Sequence, residues 1–248
     1  MTNDVQILNN GYPMPAVGLG VYKIADEQME EVVRTALDAG YRAFDTAYFY
    51  GNEKALGSAL KHSNVERDEL FITSKLWNDY QGYDQTIEYF NKSLDNLGLD
   101  YLDLFLIHWP CENDQLYIES YKALEHLYEE GKIKAIGVCN FKIHHLEKLM
   151  KETKITPQVN QIELHPYFNQ QDVQDFCDEH DIKVTASMPL MRNKGLLDDP
   201  VITDIAHRYD KTPAQIVLRW HLAHNRIIIP KSQTPKRIKE NFDIFDFN

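Results

Sequence analysis

The sequence is poor in cysteine, with only Cys111, Cys139 and Cys177. They are odd in number, far apart and never in a CxxC pair. That excludes a disulfide framework and a structural zinc site, and it points to a reducing, cytoplasmic setting. Long apolar runs are absent too. No stretch reaches the roughly 18 residues of a transmembrane helix. Met1-Thr2-Asn3-Asp4 has neither the basic region nor the apolar core of a leader peptide. A soluble chain with no membrane partner is expected. Basic charge is in deficit, with 26 Lys and Arg against 38 Asp and Glu and a net charge of -12. This argues against a nucleic-acid partner, which would call for a basic stripe. Glycine-rich phosphate loops are missing as well. Gly18-Leu19-Gly20 runs into Val21-Tyr22-Lys23, so there is no GxGxxG, and there is no Walker A sequence. His144-His145 and His221-x-x-His224 lack a carboxylate at metal-binding spacing. They read as helix-surface residues, and no metal is expected.

What is present is alternation. The 248 residues, 43% of them hydrophobic, suit one domain spanning 1–248. Val5 to Leu8, the Asn10-Gly11 turn and Met14 predict an N-terminal β-hairpin. Short apolar strands are then expected near 16–20, 41–45, 70–75, 102–107, 133–138, 158–162, 182–186 and 226–229. Helix-spaced segments separate them, with Asp26 and Asp84 as candidate caps and Gly40, Gly98 and Gly131 as stops. Several strands are apolar on both faces, as buried parallel strands are. Eight β/α units in about 250 residues is the arithmetic of a closed (β/α)8 TIM barrel. A doubly wound open sheet is the competing arrangement.

In such a barrel the chemistry gathers where strands end. Asp45, Lys75 and His108 end the second, third and fourth barrel strands, and Tyr50 follows just beyond the second. Singly, each has a bland reading: a helix cap, a solvated charge, a satisfied core histidine. Together they make a site that can protonate a carbonyl oxygen. Tyr50 would be the acid, made easier to deprotonate by the Lys75 ammonium. Asp45 would anchor that lysine, and His108 would hold the carbonyl. No side chain supplies the hydride, so a cofactor must.

These residues lie in longer motifs. Asp45-Thr46-Ala47-x-x-Tyr50-Gly51-Asn52-Glu53, Ser74-Lys75-Leu76-Trp77 and Leu106-Ile107-His108-Trp109-Pro110 are three of them. Gly131 to Phe141, Gln158 to Pro166, and Ile229-Pro230-Lys231-Ser232 with Arg237, Glu240 and Asn241 complete the set. In this order, over almost the whole chain, they resemble the aldo-keto reductases, and most closely the bacterial branch called 2,5-diketo-gluconate reductases. The resemblance implies a barrel carrying NADPH or NADP+ across its mouth and reducing small aldehydes or ketones, dicarbonyls and keto-sugar acids among them. It implies Tyr50, Asp45, Lys75 and His108 as the catalytic set. Asn140 and Gln161 would hold the nicotinamide carboxamide. Lys231, Ser232 and Arg237 would grip the adenosine 2′-phosphate, with Glu240 and Asn241 at the adenine. Gly20, Val21, Asp45, Cys139, Ser187, Met188 and Leu190 complete the expected cofactor contacts. Tyr22, Trp77, His108 and Trp109 would face the substrate. A monomer is the expected form. Lys236 adds to the basic cluster near Lys231, and Arg192 and Lys194 could attract an acidic substrate or a cofactor phosphate.

Three departures stand out. Ala186-Ser187-Met188-Pro189-Leu190 places Ser187 where the family has an aromatic that stacks on the nicotinamide, so weaker cofactor binding is expected. Cys139 replaces a usual serine, either as inert packing or as an oxidisable thiol. The sequence ends at Asn248, where relatives continue into a covering tail, and the loop Pro110 to Asp114 is short. With a C-terminal tail short or missing, an open, permissive pocket is expected. Two rival functions follow: a non-catalytic NADP(H)-binding regulatory subunit on the same fold, as among potassium-channel β subunits, or an unrelated sugar-phosphate isomerase or lyase barrel.

Overall fold

The computed structural model describes residues 5–247. The leader-peptide reading of Met1 to Asp4 and the chain end at Asn248 fall outside them. A hairpin comes first: β1 (Val5–Ile7) pairs antiparallel with β2 (Pro13–Pro15). Gly11 turns it at φ 83, a conformation a β-carbon disfavours.

Eight parallel strands follow: β3 (Gly18–Gly20), β4 (Ala43–Asp45), β5 (Phe71–Leu76), β6 (Leu102–Ile107), β7 (Ile133–Cys139), β8 (Val159–Glu163), β9 (Lys183–Ser187) and β10 (Ile227–Ile228). Each pairs with the next, and a parallel bridge from Val17 to Ile228 closes the ring. The closing seam is fastened by Ile228 N–H to the Ala16 carbonyl at 2.9 Å and Gly20 N–H to the Pro230 carbonyl at 3.1 Å. The barrel is therefore closed, and the open sheet is excluded. Closure leaves no unpaired strand edge, which is how a parallel sheet satisfies its backbone.

Helices α1 (Asp26–Ala39), α2 (Glu53–Lys61), α3 (Tyr83–Leu97), α4 (Asp114–Glu129), α5 (Ile143–Glu152), α6 (Gln171–Glu179), α7 (Pro200–Tyr209), α8 (Pro213–Ala223) and α9 (Pro235–Phe242) surround the ring. Their buried stripes and the outward strand residues, Phe105 and Ile107 among them, form the main core. Inward residues such as Leu104, Leu106, Ala135 and Val159 form a second core inside the ring, closed from below by Leu8 and Met14 of the hairpin segment. Where α2 crosses α3, a β-carbon on Gly57 would sit 2.2 Å from the Leu97 carbonyl oxygen, so only glycine fits.

Two expected caps are corrected. Ala25 and Gly82 occupy the N-cap positions of α1 and α3. Asp26 and Asp84 lie inside the first turns, where a carboxylate still favours the helix dipole without bonding the backbone. The expected stops hold at Gly40 and Gly98, both left-handed. Among the described residues no helix is long and apolar enough to cross a membrane.

Candidate functional site

The C-terminal ends of the strands surround a cavity of about 910 Å³. Its deepest wall is built by registry. β4 places Asp45 beside Thr73 of β5, and β5 carries Lys75 two residues further on, beside Leu106 of β6. Lys75 is fully buried, and its Nζ donates to Asp45 Oδ1 at 2.5 Å and to the Thr46 carbonyl at 2.9 Å. Gln161, in the middle of β8, donates from Nε2 to the other Asp45 oxygen at 2.9 Å. A buried ion pair of this kind is tolerated only when its spare lone pairs and protons find partners, as they do here.

Tyr50 reaches the same point from a one-turn 3-10 helix, Tyr48–Tyr50. Gly51 ends that turn at φ 70, its N–H returning to the Tyr48 carbonyl. Asn52 fixes the turn from behind, accepting from Thr46 Oγ1 at 3.0 Å and donating to the Val21 carbonyl at 2.8 Å. The Tyr50 hydroxyl lies 3.4 Å from Lys75 Nζ. Burial pushes its pKa up and the Lys75 ammonium pulls it down, and burial wins, leaving it at about 12. Lys75 lowers the Tyr50 pKa as expected, but the ammonium offsets the desolvation without reversing it. Burial alone would lower the Lys75 pKa, but the Asp45 carboxylate turns the balance upward and the lysine stays charged.

His108 follows β6 and is almost fully buried, with its ring edge-on to Tyr50 at 5.8 Å. Burial, aided by Lys75, drops its pKa to about 3, so it is neutral at physiological pH. Its Nδ1 is buried without a hydrogen-bond partner. Cys139 and Asn140 end β7 next door. Asn140 Nδ2 donates to the His108 carbonyl at 3.0 Å. The Cys139 thiol, with its pKa pushed up to about 12 by burial, is inert packing rather than a reactive group.

The cavity gathers most of the expected site. Gly20, Tyr22, Asp45, Tyr50, Trp77, His108, Trp109, Cys139, Asn140, Gln161, Ser187, Met188, Leu190, Lys231, Ser232, Arg237, Glu240 and Asn241 all line it. Lys75 acts from behind the wall, and Val21 packs into the main core instead. Arg192 is on the cavity; Lys194 and Lys236 are not. His221 proves to be buried, not a helix-surface residue, with Nε2 3.3 Å from the Pro189 carbonyl. Among the described residues, no three His, Cys, Asp or Glu side chains gather as metal ligands. The sequence reading missed Lys23, Phe49, Glu163, Thr212 and Gln233, which also line the cavity. Lys23 was within reach, since it directly follows Val21-Tyr22 at a strand mouth.

The donor set suits a nucleotide bearing several phosphates. Lys23, Arg192, Lys231 and Arg237 all line the cavity, and none forms an ion pair among the described residues. Burial and the neighbouring Lys23 lower the Lys231 pKa, a sign of uncompensated positive charge. Free cations in a chain of net charge -12 call for an anionic ligand. The cavity volume is in the range of cofactor sites.

Residues 16–248 match the family described as "Aldo/keto reductase family". The chain is 50% identical to the glyoxal reductase of Bacillus subtilis strain 168, over 98% of this chain and 88% of that protein. A crystal structure of an aldo/keto reductase from Brucella melitensis superposes with a TM-score of 0.96 at 49% identity, covering 99% of this chain and 95% of that one. The Bombyx mori aldo-keto reductase in complex with NADP superposes at 0.93 with 33% identity, covering 100% and 89%.

Proposed function

We propose a function from this premise: the chain belongs to the aldo/keto reductase family. It is an NADP-dependent oxidoreductase that reduces small aldehydes and ketones, R–CHO + NADPH + H⁺ giving R–CH₂OH + NADP⁺. One observation carries the reading. A phenol, a buried ammonium–carboxylate pair and a neutral imidazole converge on one wall of a cavity that is also lined by Lys23, Arg192, Lys231 and Arg237, cations without an ion-pair partner among the described residues.

Bound NADPH supplies the hydride. The chain's residues do the rest. Tyr50 and His108 hold the carbonyl oxygen, and the neutral imidazole contributes an N–H without adding charge. As negative charge grows on that oxygen, Tyr50 gives up its proton. Its pKa of about 12 lies well below that of a forming alkoxide, comparable to the roughly 15.7 of water, so the transfer runs downhill. Lys75 lies beside the phenolate left behind, and Asp45 holds Lys75 in place. Asn140 and Gln161 would orient the carboxamide, Asn140 tied to the wall by donating to the His108 carbonyl and the Cys139 sulfur, Gln161 by donating to Asp45. Lys231, Ser232 and Arg237 would take the 2′-phosphate, with Glu240 and Asn241 at the adenine.

Loss of NADPH absorbance with a panel of carbonyls, with NADH run in parallel, tests the reading. Turnover with NADPH and much less with NADH is expected. Tight NADPH binding without turnover of any carbonyl would transfer the case to a non-catalytic cofactor-binding subunit, the alternative that the Ser187 departure favours.

A further inference from the structure

Helix α9 carries opposite charges at pairing distance. Lys236 and Arg237 precede Glu240 by four and three residues, the spacings at which a cation and a carboxylate on one helix face meet. They do not meet here. Among the described residues neither Lys236 nor Arg237 forms an ion pair. Glu240 turns instead to the start of α8, where Thr212 Oγ1 donates to its Oε1 at 2.8 Å. Thr212 is well fixed for that contact. It caps α8: its hydroxyl oxygen accepts from the Gln215 N–H at 3.3 Å, and its own N–H donates to Gln215 Oε1 at 3.0 Å. Gln215 Nε2 in turn donates to the Asp243 carbonyl at 2.7 Å, which locks the start of α8 to the end of α9. Thr212, Arg237 and Glu240 all line the cavity.

We propose that Thr212 is a positioning residue for cofactor selectivity. By holding Glu240 it keeps Arg237 from being neutralised within its own helix, and so open to the 2′-phosphate that separates NADPH from NADH. The inference rests on the reading above, in which Arg237 takes that phosphate. A carboxylate three residues away is a built-in competitor for the same guanidinium. Whatever fraction of the time Arg237 spends on Glu240 is subtracted from the state that can bind phosphate, and the apparent Kd rises in proportion. An exposed helix pair is weak and must order two long side chains. A hydrogen bond from a capped, half-buried hydroxyl to a carboxylate is charge-assisted and orders only one. The hydroxyl therefore wins, and the cation stays free.

NADPH and NADH differ only at the 2′-phosphate, so the ratio of their Kd values isolates this effect from any change in the fold. Fluorescence titration should compare the wild type, Thr212→Val, Thr212→Ser, Glu240→Gln and the double variant Thr212→Val/Glu240→Gln. Thr212→Val releases Glu240 and is expected to weaken NADPH roughly two- to sixfold, the share that an exposed ion pair can withdraw, with NADH unmoved. Thr212→Ser keeps the hydroxyl and should bind as the wild type does. In the Glu240→Gln background the side chain carries no charge to compete for Arg237, so adding Thr212→Val should leave the ratio where it was. Equal losses for both cofactors in Thr212→Val would mean that Thr212 only caps α8, and the proposal would be overturned. A loss that persists in the Glu240→Gln background would overturn it too, since Glu240 would not be the route. If the wild type binds NADPH and NADH alike, the 2′-phosphate reading fails and the proposal with it. A wild type that prefers NADPH, with the ratio unmoved in Thr212→Val, removes the proposal alone.

Discussion

Two sets of carboxylate, cation and phenol lie at opposite ends of this barrel, and the proposed function gives them different work. At the mouth are Asp45, Lys75 and Tyr50. At the base are Asp103, Arg67 and Tyr12, where Asp103 sits at the start of β6. Asp103 accepts from Arg67 Nη2 at 2.7 Å, from the Tyr12 hydroxyl at 2.7 Å and from the Ile72 N–H at 2.8 Å. Its phenol is spent on its carboxylate, and burial together with that bond raises the Tyr12 pKa. At the mouth the phenol bonds no carboxylate. Among the described residues the charged group that Tyr50 touches is the lysine, at 3.4 Å, and the ring faces the cavity. The residue types are nearly the same; what differs is whether the hydroxyl proton is committed. A committed phenol ties the hairpin to the barrel floor, and an uncommitted one can act as an acid. This matches the general division of such barrels, with stability at one end and chemistry at the other.

The paired substitutions Tyr50→Phe and Tyr12→Phe break the comparison most sharply. Tyr50→Phe should lower turnover by about 10²–10⁴, the usual worth of a placed general acid, while NADPH binding stays near wild type. Tyr12→Phe should leave turnover alone and cost about 1–2 kcal/mol in stability, since a hydrogen bond to a charged group is lost. Steady-state kinetics beside urea unfolding would read both. Wild-type turnover in Tyr50→Phe would remove the assignment of the proton donor.

The cations give the next contrast. Arg67→Met strips the partner from Asp103, whose side chain is only 2% exposed. Breaking a fully buried pair costs about 3–5 kcal/mol. Arg67 is itself 24% exposed, so about 2–3 kcal/mol is expected, a melting drop of roughly 5–10 °C. Arg237→Ala at the mouth removes a cation that has no ion-pair partner among the described residues, so the fold should barely notice. NADPH affinity should fall roughly tenfold, with NADH affinity unmoved. Equal losses for both cofactors would place Arg237 away from the 2′-phosphate.

This contrast also marks what could be read from the sequence. The β/α alternation and the strand-end positions of Asp45, Lys75 and His108 were legible, because a parallel barrel forces both. The hairpin was legible from Asn10-Gly11. The base network was not. Tyr12, Arg67 and Asp103 are joined only through the closed ring, and no local spacing signals that. Nor was the Tyr50 pKa, since the sequence names the ammonium but not the depth of burial opposing it. His221 misled for a similar reason: its helix is buried on a wide face, so a histidine at a surface-like spacing ends in the core.

The smallest expected effect concerns the wall opposite Tyr50. Ser187 ends β9, half-buried and on the cavity, at the position where the resemblance calls for an aromatic. No ring replaces it. Met188 follows in a left-handed conformation at φ 50, and Arg192 Nε donates to its sulfur at 3.0 Å, so the next side chain is held by its neighbour. Ser187→Tyr restores a face on which a planar nicotinamide could stack, worth about 0.5–1.5 kcal/mol, or up to roughly tenfold in the NADPH Kd. Fluorescence titration would measure it. Tighter NADPH with unchanged Tyr50 chemistry would mean that the mouth lost affinity at Ser187 without losing its acid. An unchanged Kd would mean that the Met188–Arg192 pair already fills the place of the missing ring, and the expectation of weakened cofactor binding would fall.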